Sequence, residues 1–297
     1  MIDKMILKKK HISEKELRQI QTKANLKTHT KNGVIYYDNK DTKGFNGGFF
    51  IQIDTKRTLK IAGSVHKFHN YLKCGKLDNY NNITMHEAQQ SILKMLKHYG
   101  VRNFEGFNVE YYEVGTNEQT AQPTHEILSK LDNLKGKKFY FHPRFKNETL
   151  KTTETDKDKR RIFRVYDKLH ELKDNRRQLP QNIKHLTRYE TIYKRQNITL
   201  SEFLTNQNLQ RLEDNFYKEI QELKSVPKVA YIGAGNPSQL KIELAKSIIQ
   251  NGTQKTLDHC KKQFKNKEIT QRQMQVRREF IRDWEVKELY KQYKVLS

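Results

Sequence analysis

The sequence predicts an α+β protein: a portion of antiparallel strands with flanking helices to about residue 198, then a mainly helical, basic region over 199–297. Short β-branched and aromatic runs recur through the first two thirds, separated by Asn/Asp/Gly/Lys turns, the rhythm of antiparallel pairing. Segments with helical apolar spacing interrupt them. Beyond Leu200 the strand-like runs give way to long amphipathic stretches.

In chain order, Met1–Leu7 reads as a strand and Ser13–Ala24 as a short helix opened by the capping sequence SEKE. GVIYYD (33–38), GFFIQID (48–54) and TLKIAGSVHKF (58–68) are strand-like pieces. Met85–Tyr99 places Ala88, Ile92, Leu93, Met95 and Leu96 near helical spacing, with Thr84 as its cap. FNVEYYEVGTN (107–117) returns to strand, and the polar 116–136 contains a further short helix, THEILSKL. KKFYFHP (137–143), RIFRVYDKLHEL (161–172) and HLTRYETIY (185–193) supply more strand. Helices are expected over 201–224, 239–252 and within 253–294; from Lys255 to Lys294, 12 Lys/Arg stand against 6 Asp/Glu.

The 297 residues are enough for one large domain or two ordinary ones. Apolar residues are only 35%, yet 10% aromatics and periodic runs argue against wholesale disorder. Lys and Arg total 58 against 34 acids, a formal charge of +24 that points to an anionic partner. Nucleic acid is favoured, since each neutralised phosphate releases counterions. A membrane is disfavoured: no run of ~18 apolar residues exists, and the basic stretches lack a wide apolar face. Cys74 and Cys260 form no CxxC pair and suggest a reduced, cytoplasmic chain. The apolar patch in MIDKMILKKK is too short for a secretory signal.

In RIFRVYDK (161–168), read as a strand, Phe163 and Val165 face one way and Arg164, Tyr166 and Lys168 the other. Two cations beside a phenol lower its pKa and steady a phosphodiester, as a tyrosine attacking phosphorus requires. The competing reading is an edge-strand tyrosine among solvated charges. In LTRYE (186–190) Arg188 and Glu190 share a face, and in VEYYEVG (109–115) so do Val109, Tyr111 and Glu113. A carboxylate in mid-sheet is costly unless paired or bound to metal, so Glu113 and Glu190 either flank one Mg²⁺ or Mn²⁺ or pair with Arg188 or Arg164. GSVHKFHN (63–70) spaces two histidines that, on a strand, point to opposite faces; His66 is a candidate single ligand or simply hydrogen-bonded. IGAGNP (232–237) lacks the third glycine of a dinucleotide loop and reads as a turn. Lys159, Arg160, Arg161, Arg176, Arg177 and Arg188, interleaved with Phe163, Tyr166 and Tyr189, suit contacts to a single strand.

Taken in order, MIDKMIL, GSVHKFHN, VEYYEVGTNE, FRVYDK and TRYE resemble segments of the phage and plasmid rolling-circle replication initiators typified by the gene II protein of filamentous phages. The resemblance covers roughly residues 1–195. It implies a small antiparallel sheet flanked by helices, a divalent metal, and an enzyme of the bacterial host cytoplasm that nicks one strand of origin DNA by tyrosine attack. Such an enzyme stays on the 5′ phosphate, leaves a 3′ hydroxyl for the host replication machinery and later rejoins the strand. On this resemblance Tyr166 is the nucleophile, with Tyr189, Tyr193 and Tyr112 as alternates. Arg164 and Lys168 steady the phosphate, Glu113 and Glu190 hold metal, and His66 is a further ligand or acid/base. Competing expectations are a non-enzymatic copy-control DNA binder, an RNA binder and a relaxase.

Overall fold

A computed structural model describes residues 1–40, 48–142, 148–153, 159–225, 228–233 and 237–296. The chain forms two compact units: Met1–Ser129 with Asn133–Leu223, and Lys130–Asp132 with Lys224 onward. The division expected near 198 therefore falls later, and residues 199–223 belong to the first unit.

The first unit begins with β1 (Ile2–Lys9) and α1 (Glu14–Lys23), whose N-terminus carries a reciprocal capping box between Ser13 and Glu16. β2 (Lys27–Lys31), β3 (Val34–Asp38), β4 (Phe49–Ile53) and β5 (Leu59–Ser64) follow. The strand expected over 58–68 stops at Ser64, because the Ser64 side chain accepts from Lys67 N and starts α2 (Val65–Cys74). Both histidines of GSVHKFHN therefore lie on a helix, not a strand. Gly75, at φ +71°, ends it in the left-handed conformation. Next come α3 (Met85–His98), capped by Thr84 and Glu87, β6 (Phe107–Gln119), α4 (Thr124–Lys130) and the short β7 (Leu131–Leu134) and β8 (Lys137–Lys138). β9 (Tyr140–Phe141), β10 (Thr149–Lys151), β11 (Arg161–Asp167) and α5 (Lys168–Asp174) continue the chain. Here too a strand ends early: the Asp167 side chain accepts from His170 N at 2.9 Å and turns 168–174 into helix. β12 (Leu186–Thr199) is longer than the nine residues expected, and the helix expected over 201–224 is two, α6 (Leu200–Phe203) and α7 (Asn206–Gln221), separated where Thr205 caps the second. Pro143 and residues 234–236 of IGAGNP lie outside the described residues.

Ten strands form one sheet in the order β2-β3-β4-β5-β1-β6-β12-β11-β10-β9, with antiparallel neighbours throughout. Its central register sets Arg164 opposite Glu190 and Tyr166 opposite Arg188. Glu190 in turn lies opposite Gly115, and Arg188 opposite Asn117. One face is apolar. Tyr112 stacks on Tyr193 and packs on Phe203, while Phe163 meets Phe216; Leu209 and Leu212 of α7 are buried with them. Each such side chain contributes roughly 1.5–3 kcal/mol by leaving water. The opposite face carries the polar groups described below.

The second unit contains β13 (Leu223–Ser225) from its second residue, then β14 (Lys228–Tyr231), α8 (Gln239–Asn251), α9 (Thr253–Lys265), α10 (Gln271–Val286), a 3₁₀ turn over Leu289–Gln292 and β15 (Tyr293–Leu296), which pairs with β14. Leu244, Ile248, Cys260, Phe280, Trp284 and Tyr293 form its core.

Candidate functional site

Three carboxylates from three adjacent strands converge in the first unit. Oxygen atoms of Asp3, Glu113 and Glu190 lie within 4.8 Å of one another, and all three residues are buried. The alternation of β6 and β12 brings Glu113 and Glu190 to one face, as their sequence parity predicts. Asp3 was missed. It is an isolated acid in an apolar strand, and only a charge at a strand position that should be core signalled it.

Two arginines bind this trio. Arg188 is fully buried and donates from Nη2 to Asp3 Oδ2 at 2.6 Å, from Nη1 to Asn117 Oδ1 at 3.0 Å and from Nε to Glu190 Oε1 at 3.3 Å. It is an internal partner, so the expectation that Arg188 contacts DNA is corrected: no part of it reaches the surface. Arg164, a third exposed, donates from Nε to Glu190 Oε2 and brings Nη2 to 4.0 Å from Glu113. The bare backbone of Gly115 gives Arg188 its room. A Cβ there would sit 3.0 Å from the Arg188 Nη2 and 2.9 Å from the Tyr189 carbonyl.

Burial pushes the acids toward protonation, and the arginines decide which of them yield. Burial is the largest influence on each; for Asp3 it is outweighed only by Arg188 acting together with His66, Lys168 and the Ser64 hydroxyl, and for Glu190 by Arg164 and Arg188 together, so both are held below the ordinary carboxylate range. Glu113 has only the Arg164 Nη2, at 4.0 Å; burial, then the charge of Glu190, outweigh it and push Glu113 up to about 7. Its Oε1 accepts a hydrogen bond from the Tyr111 hydroxyl.

Tyr166 stands on the same face, with the Arg164 guanidinium 5.1 Å from its ring centre. It is 8% exposed and lines a cleft of about 310 Å³ with Thr149, His170 and Glu171. No hydrogen bond among the described residues engages its hydroxyl. Its pKa is raised, contrary to the lowering expected from flanking cations: burial and the charge of Glu190 outweigh Arg188 and Arg164. Lys168 does not extend the strand face at all. It opens α5, is buried, and pairs with Glu171 at 2.7 Å; burial, then Arg188, lower its pKa. Of the alternate tyrosines, Tyr112, Tyr189 and Tyr193 occupy the apolar face, away from the carboxylates.

His66 is fully buried on α2. Its Nε2 lies 2.7 Å from Asn81 Oδ1, which also accepts from Asn70, so Nε2 carries the proton and Nδ1 is left as a buried acceptor with no hydrogen-bond partner. Burial lowers its pKa to about 4, keeping it neutral. It neighbours Asp3 electrostatically but supplies no atom to the convergent trio. Among the basic residues, Lys159, Arg160, Arg176 and Arg177 are exposed; Arg161 is engaged by Glu219 and lies 5.3 Å from the Tyr193 ring centre.

The donor set suits a divalent ion. Three oxygen ligands converge, and the acid with the weakest ion pairing, Glu113, is the one whose charge a cation would restore. A scan of known protein families matches none of them to this chain, and a search of characterised proteins finds no significant relative.

Proposed function

We propose that the chain is a replication initiation protein that cuts and rejoins one strand of origin DNA by tyrosine transesterification, as the resemblance to rolling-circle initiators implies. The observation that carries this reading is the shared face of Asp3, Glu113, Glu190 and Tyr166, with Arg164 between the acids and the phenol. Asp3, Glu113 and Glu190 would hold Mg²⁺ or Mn²⁺, which when bound polarises a phosphoryl oxygen. The Tyr166 Oη attacks phosphorus, an Oη–P bond forms, the P–O3′ bond breaks, and the departing O3′ takes up a proton from solvent to leave a 3′ hydroxyl. The phenol is protonated at rest, so its proton must pass to a base as the bond forms; His170 and Glu171 line the same cleft. Arg164, the arginine of this face that reaches solvent, balances charge on the transferred phosphate. The reaction exchanges one phosphodiester for another, so the strand can be resealed by reversal.

Tyr111 is a second candidate nucleophile, favoured by the hydrogen bond that places its hydroxyl against Glu113. Incubation with a supercoiled replicon and Mn²⁺ or Mg²⁺ tests the whole reading. Open circles carrying protein on one 5′ end are expected, with the attached peptide containing Tyr166. Attachment through Tyr111 would reassign the nucleophile, and binding without any metal-dependent nick would leave a non-enzymatic DNA-binding protein.

A further inference from the structure

The face that carries Tyr166 continues past it to the edge of the sheet. Directly opposed residues of antiparallel strands share a face, so the register defines rows running across the strands. One row passes from Glu190 through Arg164 and Lys151 to Tyr140 on β9, the last strand of the sheet. The row beside it passes from Arg188 through Tyr166 to Thr149. His142 extends that second row: its amide donates to the Thr149 carbonyl at 2.9 Å, and it lines the cleft with Thr149, Arg164 and Tyr166. Tyr140 and His142 therefore stand two positions apart on the face of the cleft.

Tyr140 is 42% exposed, and no hydrogen bond or ring contact among the described residues engages its side chain. Adjacent strands lie ~4.8 Å apart, which puts the Tyr140 backbone ~10 Å from that of Arg164. Lys151, between them, is buried, so the accessible groups along this row are a guanidinium and then an aromatic ring. The opposite wall of the cleft brings Asp167, Glu171 and Asp174, which repel a phosphate. A nucleic-acid backbone is thereby kept on the sheet side, over Arg164, with Tyr140 next along its path.

We propose that Tyr140 is a stacking platform for the base of a nucleotide flanking the scissile phosphate in single-stranded DNA. Arg164 meets the phosphate, and the Tyr140 ring takes the neighbouring base on its face. Every base has such a π-face, so the subsite is tolerant of sequence. This rests on the single-strand substrate of the proposed function but not on any cutting step. Phe141 supplies the control: it is exposed on the same strand, but it lies opposite Leu150, in the row of Val165, and so on the other face.

Fluorescence anisotropy without metal tests it, with oligo(dT) of about 12 nucleotides and an abasic strand of the same length. Both residues are exposed, so Tyr140→Ala and Phe141→Ala leave the core of the full chain untouched. Tyr140→Ala should weaken oligo(dT) by about fivefold or more and leave the abasic strand within about twofold of the parent. Tyr140→Trp, which keeps an aromatic ring, should bind oligo(dT) as the parent does, and Phe141→Ala should change neither strand. Oligo(dT) affinity within about twofold of the parent in Tyr140→Ala overturns the proposal, as does an equal loss on both strands or an equal loss from Phe141→Ala. A parent chain that binds neither strand overturns it too. The expected pattern without plasmid nicking keeps this subsite and removes the strand-transfer reading; nicking with oligo(dT) affinity unmoved by Tyr140→Ala does the reverse.

Discussion

Glu113 and Glu190 occupy neighbouring strands yet differ in charge state, because the two guanidinium groups reach Glu190 and only the edge of one approaches Glu113. Glu113→Gln therefore resembles the protonated acid that prevails below about pH 7 in the metal-free protein, and above it removes a buried charge. Its thermal unfolding midpoint at about pH 8 should be unchanged or raised without metal, while Mn²⁺-induced stabilisation is lost. The sign of the pH effect follows from a folded pKa raised from 4.5 to about 7. The native state keeps the proton through that window and the unfolded state does not, so this group's contribution to stability is present at low pH and falls as pH rises toward 7. A bound cation displaces the same proton. The Mn²⁺-induced shift in the parent should be larger at about pH 8 than at about pH 6; equal shifts would place the ion elsewhere. Gly115→Ala acts on the same centre by a different route. Its Cβ meets the Tyr189 carbonyl and the Arg188 guanidinium, so denaturant titration should show a loss of roughly 1–3 kcal/mol from overpacking.

At the scale of elements, the strand parity that paired Arg188 with Glu190 and faced Glu113 toward them was readable, since period two is fixed by the backbone. What escaped was where strands stop. Ser64 and Asp167 each follow β-prone residues, but each side chain captures an amide three residues on and starts a helix. Those two caps moved His66 and Lys168 off the sheet and into the interior. Asp3 was not legible as a site residue, because its partner Arg188 lies 185 positions away along the chain. On the apolar side, α7 is anchored through Glu219, buried beneath Arg161 and accepting from the Thr191 hydroxyl at 3.1 Å. Glu219→Ala leaves that hydroxyl without its acceptor, and chemical denaturation should register a loss of about 2–4 kcal/mol. A change under about 0.5 kcal/mol, the range of ordinary surface substitutions, would mean that the apolar contacts of α7 hold it unaided.

For the whole molecule, the excess of 58 Lys/Arg over 34 Asp/Glu sets how strongly any nucleic acid is held, whatever the chemistry at the sheet. The second unit has its own core and presents exposed arginines on α10, among them Arg278 and Arg282. Under the proposed function these would grip duplex beside the cut. Arg278→Ala with Arg282→Ala removes two phosphate contacts without touching that core. Log affinity for duplex DNA against log salt should then flatten by about two in slope, since each contact contributes close to one released counterion. Single-strand binding, assigned to the first unit, should change little in the same variant. If instead both substrates lose affinity in parallel with an unaltered slope, the loss comes from a disturbed fold rather than from missing phosphate contacts, and circular dichroism of the variant would show it. If neither changes, α10 does not meet DNA, and under the proposed function the duplex would be held by the exposed cations of the first unit, Lys159, Arg160 and Arg176.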